Sequence, residues 1–456
     1  MPACLDAYSL SKSLKAAATL RSQTHLKALH APVIKLGFSR FTILMTGLAD
    51  VALKCGLLAD ARTLFDDLPH RNVAAWTSMI VGHAHHRWFH DSLSFLRNML
   101  ATGTAPNGHS FSGALTACSG LGTLSYGRQI HVQVLKKSIF ELIVQNGLLD
   151  MYCWCRCLPA AQRLFDSMRV KDNVSWNAMM SGYLYCERAE EALELLAVMV
   201  SCGARPDDFS YAICVDACAT LASMLQGIQI HACIVKGGFD SNLVVGNALV
   251  DMYAKCGCIS SSKLVFETMH ARDPVLWTSM ISAFGNHGEL VSEGWHYFRL
   301  PLEEEGEAFV KPEHYGCMAN LLCRAGYLEE ALEFIERMPL KPSIAIWSAF
   351  LNSCQMCGKT KLSQLAACRL LELDPENDSN WVVLSTIHAA VSEWNKTWKI
   401  RECMKGENIK KEPGCSWVEV NDGVHVFLTA DRLHPEVAEI LHTLDVLRKD
   451  MVFMPV

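Results

Sequence analysis

Apolar residues along this chain fall in stripes at helical spacing, broken by short polar turns, and one order of stripes returns three times. The stretches ADVALKCGLLADARTLFDDL from Ala49, LDMYCWCRCLPAAQRLFDSM from Leu149 and VDMYAKCGCISSSKLVFETM from Val250 superimpose. Asp50, Asp150 and Asp251 align, as do Cys55, Cys155 and Cys256, and then Phe65, Phe165 and Phe266. Trp76, Trp176 and Trp277 recur with the same step, as do His30, His131 and His231, and Cys118 and Cys218. A step of 100 or 101 residues is too long for one solenoid unit. It divides into three units of about 31, 35 and 35 residues, each reading as helix–turn–helix.

In the unit opening at Asn173, NAMMSGYL (Asn177–Leu184) and AEEALELLAVMV (Ala189–Val200) are amphipathic helices broken at Cys186-Glu187-Arg188. Pro206 follows the second helix, where a proline cannot continue it. Such units bury their apolar seam only by stacking on neighbours. The predicted fold is therefore all-α, a right-handed α-solenoid of helix–turn–helix repeats. Ile344–Asn377 and Asp378–Glu412 read as two further helical pairs. After Pro413-Gly414 the period changes to two: Cys415–Val420 and Val424–Leu428 alternate around Asn421-Asp422-Gly423, a hairpin signal. An amphipathic stretch, Val437–Leu447, predicts a helix near the C-terminus.

Composition narrows the class. Half of the 456 residues are apolar and 19% are charged, which excludes a disordered polymer. No run approaches the roughly 18 apolar residues of a spanning helix, so the chain reads as soluble, with no membrane partner. Twenty cysteines are too sparse for a disulfide scaffold. Met1–Leu20 carries Lys12 and Lys15 but no apolar core of the length a secretory signal needs. The net charge of −6 argues against gripping nucleic acid by bulk positive charge. It is unevenly spread, at +3 over 1–288, −7 over 289–378 and −2 over 379–456, which suggests two tasks for two regions.

At this point the units resemble pentatricopeptide repeats of the plant type in which P, L and S variants alternate. The match is carried by VSWNAMMSGY (Val174–Tyr183), GARPD (Gly203–Asp207), GIQIHACIVKGGF (Gly227–Phe239) and NALVDMYAKCG (Asn247–Gly257). LLELDPEND (Leu370–Asp378) and KKEPGCSWVEV (Lys410–Val420) resemble the E-type extension that follows such arrays. By this resemblance 1–41 is a partial L-type repeat and 42–273 an array of P, L and S repeats. Residues 274–311 form a hybrid P/L repeat with an apparent deletion, and 312–343 an S-type repeat. Residues 344–412 are tetratricopeptide-like E-type pairs, and 413–456 an E-type tail with a hairpin and terminal helix.

The resemblance implies that each repeat reads one base of single-stranded RNA through its fifth and last residues. Those pairs are Thr46 with Asn72, Thr77 with Asn107, Asn146 with Asp172, Asn177 with Asp207, and Asn247 with Asp273. By the family's pattern Thr with Asn favours adenine and Asn with Asp favours uracil. The L-type pairs, Ser112 with Glu141 and Ala212 with Asn242, fit neither. The expected target is A-A-x-U-U-x-U, read 5′ to 3′ from the N-terminal side. The competing reading is that these polar residues only cap helices.

No catalytic site is predicted. A zinc deaminase needs H-x-E followed by P-C-x-x-C, so that ligated Zn²⁺ can activate water beside a glutamate. His434-Pro435-Glu436 has the first spacing, but no cysteine follows Cys415. Cys153, Cys155 and Cys157, with Cys256 and Cys258, have C-x-C spacing, yet small thiols also suit tight helix contacts. Cys354-Gln-Met-Cys357 lacks a βαβ context, and Gly358-Lys359-Thr360 lacks the earlier glycine of a phosphate loop. His83, His85, His86 and His90 are expected in a solvated turn. Neither metal nor cofactor is expected.

Two departures from the family pattern stand out. The chain opens inside an L-type unit, about Ala7–Phe41, so a targeting signal is expected to overlap the array. The unit opening at Pro274 begins as P-type (Val275–Gly285) and ends as L-type (Glu289–Phe298), with about one repeat, on the order of 35 residues, missing around Phe284–Glu289. The function implied is a non-enzymatic, sequence-specific RNA-binding adaptor for organellar C-to-U editing, recruiting in trans a DYW-type deaminase or another editing factor. Its partner is single-stranded organellar RNA and its location the mitochondrion, or alternatively the chloroplast. The rival readings are an RNA processing or stability factor acting by binding alone, and a protein-binding scaffold.

Overall fold

The computed structural model describes residues 7–20, 23–35, 41–286, 291–304, 306, 310–406, 415–420 and 423–428. They form 24 helices and two strands, in two compact units divided between His287 and Gly288.

In the first unit, helices come in antiparallel pairs: α1 (Ala7–Leu20) with α2 (Gln23–Lys35), α3 (Thr42–Lys54) with α4 (Leu58–Asp66), and α5 (Val73–His85) with α6 (Phe89–Ala101). They continue as α7 (Gly108–Leu121) with α8 (Leu124–Lys136), α9 (Leu142–Trp154) with α10 (Leu158–Ser167), and α11 (Asn173–Tyr185) with α12 (Ala189–Ser201). The last are α13 (Asp208–Thr220) with α14 (Met224–Gly237), α15 (Leu243–Lys255) with α16 (Ile259–Thr268), and α17 (Pro274–Asn286). The odd-numbered helices pack on one another in order from α1 to α17, and each even-numbered helix from α4 lies against its own partner and the next odd one. The result is an α-solenoid with an inner and an outer layer.

The recurring landmarks explain the stack. Phe65 meets Trp76, Phe165 meets Trp176 and Phe266 meets Trp277, each edge-on at 4.8, 5.0 and 4.8 Å between centroids. Each pair joins the outer helix of one repeat to the inner helix of the next, and a cation (Arg71, Lys171 or Arg272) lies over the phenylalanine ring. Inner helices approach closely where a residue is small: a Cβ on Gly182 would lie 2.2 Å from Cys153 Sγ. The turn between paired helices passes through the left-handed region. Gly56 and Gly257 sit there with φ of 77° and 85°, whereas the matching residue of the middle copy is Arg156 at 54°.

The second unit continues in helical pairs: α18 (Val291–Glu304), α19 (Pro312–Arg324) with α20 (Leu328–Arg337), α21 (Ile344–Met356) with α22 (Thr360–Leu373), and α23 (Asp378–Ala390) with α24 (Trp394–Gly406). Strands β1 (Cys415–Val420) and β2 (Gly423–Leu428) pair antiparallel, Cys415 opposite Leu428 and Val420 opposite Gly423, forming the expected hairpin. The expected terminal helix and His434-Pro435-Glu436 lie outside the described residues. Among the described residues no helix is long and apolar enough to cross a membrane.

Candidate nucleic-acid interface

The fifth residue of each repeat lies on the second turn of an inner helix, and the last residue stands just before the next inner helix. Three-dimensional stacking therefore brings together side chains 26 to 30 residues apart. Asn146 Nδ2 donates to Asp172 Oδ1 at 3.0 Å, and Asn177 Nδ2 to Asp207 Oδ1 at 3.0 Å. Thr77 Oγ1 lies 3.4 Å from Asn107 Oδ1, and Asn247 Nδ2 lies 3.5 Å from Asp273 Oδ1. Thr46 and Asn72 are not joined; Thr46 Oγ1 is buried without a partner.

The capping alternative is also realised. Asn72, Asn107, Asp172, Asp207 and Asp273 each accept from a backbone N–H three residues on, at 2.8–2.9 Å. Capping and pairing use the same oxygen, so the two roles coexist. Burial pushes the Asp172 carboxyl up, but bonds from the Ser175 backbone and hydroxyl and from Asn146 outweigh it and hold it below the usual carboxylate range. Asp207 is likewise raised by burial and lowered further by Ser210, Asn177 and Asn173. Both carboxyls are ionised at neutral pH.

Sequence reasoning missed two sets of residues. The first is a serine at the third position of the following unit: Ser110, Ser175 and Ser210, all fully buried. Ser175 Oγ lies 2.6 Å from Asn146 Oδ1 and 2.9 Å from Asp172 Oδ1; Ser210 Oγ lies 2.7 Å from Asn177 Oδ1 and 2.9 Å from Asp207 Oδ1. Ser110 Oγ sits 2.7 Å from Thr77 Oγ1 and 2.9 Å from Asn107 Oδ1. The signal was a capping-box spacing from Asp172 to Ser175 and from Asp207 to Ser210. The second set is apolar and exposed, at the second position of the units: Ile43, Ile143, Val174, Phe209, Val244 and Val275. These uncovered apolar side chains stand beside every pair except Thr77 with Asn107, where the second positions are Ala74 and His109.

The other candidate clusters are absorbed by packing. His83 is not solvated as expected: it is buried in α5, its Nδ1 2.8 Å from Met79 O, because the helix runs on to His85 and the turn begins only at His86. His86 Nε2 bonds Leu53 O across the inner helices. Burial pushes the Cys153 thiol to about 12, so it stays protonated and serves as a small packing group. Lys359 Nζ bonds Glu329 at 3.0 Å, which occupies the lysine of the apparent phosphate loop. Among the described residues no three His, Cys, Asp or Glu are placed to hold a metal ion.

Comparison with known proteins agrees with this geometry. The PPR repeat pattern matches residues 74–103, 146–173, 247–273, 275–292 and 313–341, and a second PPR repeat family pattern matches 171–220. A mitochondrial pentatricopeptide repeat-containing protein of Arabidopsis thaliana is 32% identical over 90% of this chain and 70% of its own length. The chain belongs to the pentatricopeptide repeat family. An E motif matches 359–419, which spans α22 to β1. A chloroplastic pentatricopeptide repeat-containing protein of Arabidopsis thaliana is 33% identical over 95% of this chain and 58% of its own. The chain spans only 48–58% of three such relatives. In two comparisons the matched stretch runs to 484 residues against the chain's 456, so those pentatricopeptide proteins carry segments without counterpart here. Among solved structures, PPR10 in complex with an 18-nt psaJ RNA element has the same fold, with 14% identity, 89% of this chain and 70% of that one covered, and a TM-score of 0.50.

Proposed function

We propose that this chain is a non-enzymatic adaptor that binds single-stranded organellar RNA by sequence, with A-A-x-U-U-x-U as its target. The supporting observation is the set of hydrogen-bonding atoms left open by each pair. In the Asn146–Asp172 and Asn177–Asp207 pairs, Asn Oδ1 faces a serine hydroxyl and Asp Oδ1 accepts from the amide, which leaves one amide N–H and the second carboxylate oxygen, an oxygen that in Asp207 also accepts from Asn173 Nδ2 at 3.0 Å. A donor beside an acceptor complements the O and N3–H of uracil, whereas cytosine would set its N3 lone pair against a carboxylate. At Thr77 with Asn107, Asn107 Oδ1 accepts from the Ser110 N–H and hydroxyl, so its NH₂ faces outward to meet adenine N1. The exposed apolar residues at second positions flank the bases.

The E motif, found after the array, supports the finer reading: marking organellar cytidines for a DYW-type deaminase acting in trans. Relatives are named mitochondrial and chloroplastic, and we assign this chain to the mitochondrion with the plastid as the alternative. The repeat-length loss near Phe284–Glu289 would move the target cytidine one nucleotide relative to the bound sequence. The test is the editing extent of every organellar cytidine in plants lacking the gene. Loss at sites with A-A-x-U-U-x-U a few nucleotides upstream is expected. Unchanged editing with altered transcript ends would replace the adaptor by a processing factor.

A further inference from the structure

The five pairs fall into two classes, divided by a residue that belongs to neither member. Where the third residue of the following unit is serine, the pair is closed: Ser110, Ser175 and Ser210 each sit within 2.9 Å of both side chains. Where it is not, the pair is loose. Unit 42–72 is followed by Ala75, and Thr46 Oγ1 is left buried with no partner. Unit 243–273 is followed by Leu276, the amide–carboxylate distance opens to 3.5 Å, and Asn247 Oδ1 is left buried with no partner.

The chemistry of the hydroxyl explains the division. A primary amide can present either its oxygen or its NH₂ outward, and only its neighbours fix which. Ser175 Oγ places a donor against Asn146 Oδ1 while Asp172 Oδ1 accepts from Nδ2, so rotation of the amide by 180° would lose both bonds. The Asp172 N–H donates to Ser175 Oγ at 3.3 Å, and the Asp207 N–H to Ser210 Oγ at 3.2 Å, so each hydroxyl is itself held in place. Ala75 and Leu276 can supply no such bond. Asn247 Oδ1 and Thr46 Oγ1 are left buried without a partner, so no hydrogen bond from the following unit fixes which atoms their side chains turn outward.

We propose that Ser110, Ser175 and Ser210 are specificity-determining positioning residues, which fix the atoms their pairs present and so make the second, fourth and fifth bases of the target stringent. The first and seventh bases, read without a serine, are permissive. This rests on the base-reading function proposed above. The serines touch no base; they act through Thr77, Asn146 and Asn177.

The experiment compares the full chain with Ser175→Ala, Ser210→Ala and Ala75→Ser, binding synthetic A-A-x-U-U-x-U RNA and its single-base variants. The unsubstituted chain is expected to reject cytosine at the fourth and fifth bases about tenfold more strongly than at the seventh, the effect of one hydrogen bond of ordinary strength. Ser175→Ala should lower the uracil-to-cytosine ratio about tenfold at the fourth base alone, and Ser210→Ala at the fifth alone. Ala75→Ser should raise discrimination at the first base. Ser175→Thr, which keeps the hydroxyl, should restore most of the ratio. If Ser175→Ala and Ser210→Ala weaken binding to uracil and cytosine variants equally, the serines are merely helix caps and the proposal is overturned. If the unsubstituted chain shows no base preference anywhere, the base-reading function falls first and this inference falls with it. Should the alanine variants fail to fold by circular dichroism, Ala75→Ser decides alone: no gain at the first base overturns the proposal.

Discussion

The Asn177 amide donates to Asp207 Oδ1 at 3.0 Å across 30 residues of chain, and that same oxygen caps α13 through the Ser210 N–H at 2.8 Å. One carboxylate thus ends a loop, starts a helix and orients its neighbour's amide. A cap residue must stand at the head of an inner helix, and stacking puts every such head beside the second turn of the preceding inner helix. Pairing and capping therefore draw on the same residue types, Asn and Asp, for the same geometric reason.

Exchanging one pair should exchange one base. Asn177→Thr with Asp207→Asn recreates in unit 173–207 the side chains of Thr77 and Asn107, with Ser210 already in the position of Ser110. The double variant should prefer adenine over uracil at the fifth base, with a change of about 1–3 kcal/mol, and leave the other positions unaltered. Electrophoretic mobility shifts with single-base RNA variants measure this.

Acid should weaken the fold before it affects the carboxylates of Asp172 and Asp207. Burial lowers the pKa of His83, His131, His231 and His314 below the ordinary 6.5. The unfolded chain then binds more protons than the folded one once pH drops below about 6.5, so stability falls with pH down to the lowered values. Asp172 and Asp207 carry pKa values below 3.8 and stay ionised throughout that window. Thermal melts should shift downward from pH 7.5 to 5.5. His131→Gln, which can keep a bond to the Tyr152 hydroxyl, should flatten the slope.

Close helix approach makes one glycine stricter than its counterpart. A Cβ at position 182 would meet Cys153 Sγ at 2.2 Å and its Cβ at 2.6 Å, a short and unyielding side chain. At position 82 the nearest atoms are the ends of Leu53, 2.8 Å away, which can rotate. Gly182→Ala should cost about 1–3 kcal/mol by overpacking, and Gly82→Ala clearly less. Urea unfolding of the two variants gives the comparison directly.

Core loss should stay local. Trp176 is 5% exposed and meets Phe165 at 5.0 Å between ring centroids. Trp176→Ala should cost about 3–5 kcal/mol. Because repeats contact only their neighbours, hydrogen exchange should quicken in α9 to α12 and remain slow in α3 to α5. Uniform quickening along the array would contradict the nearest-neighbour picture.

The sequence by itself determined the repeat, its helical pairs and the step at which Phe, Trp and Cys return, because each depends on spacing that survives as a pattern of residue types. Asp50, Asp150 and Asp251 could be aligned by eye, and the fifth and last residues followed from the family resemblance. Tertiary structure alone decided which pairs close. Ser175 reads in sequence as an ordinary helix-start residue; only when α9 packs on α11 does its hydroxyl reach Asn146, 29 residues earlier. The same packing withdrew His83 from solvent and left Thr46 Oγ1 and Asn247 Oδ1 without partners. A hydrogen bond depends on tenths of an ångström between separate helices, and residue spacing along one chain carries no information at that scale.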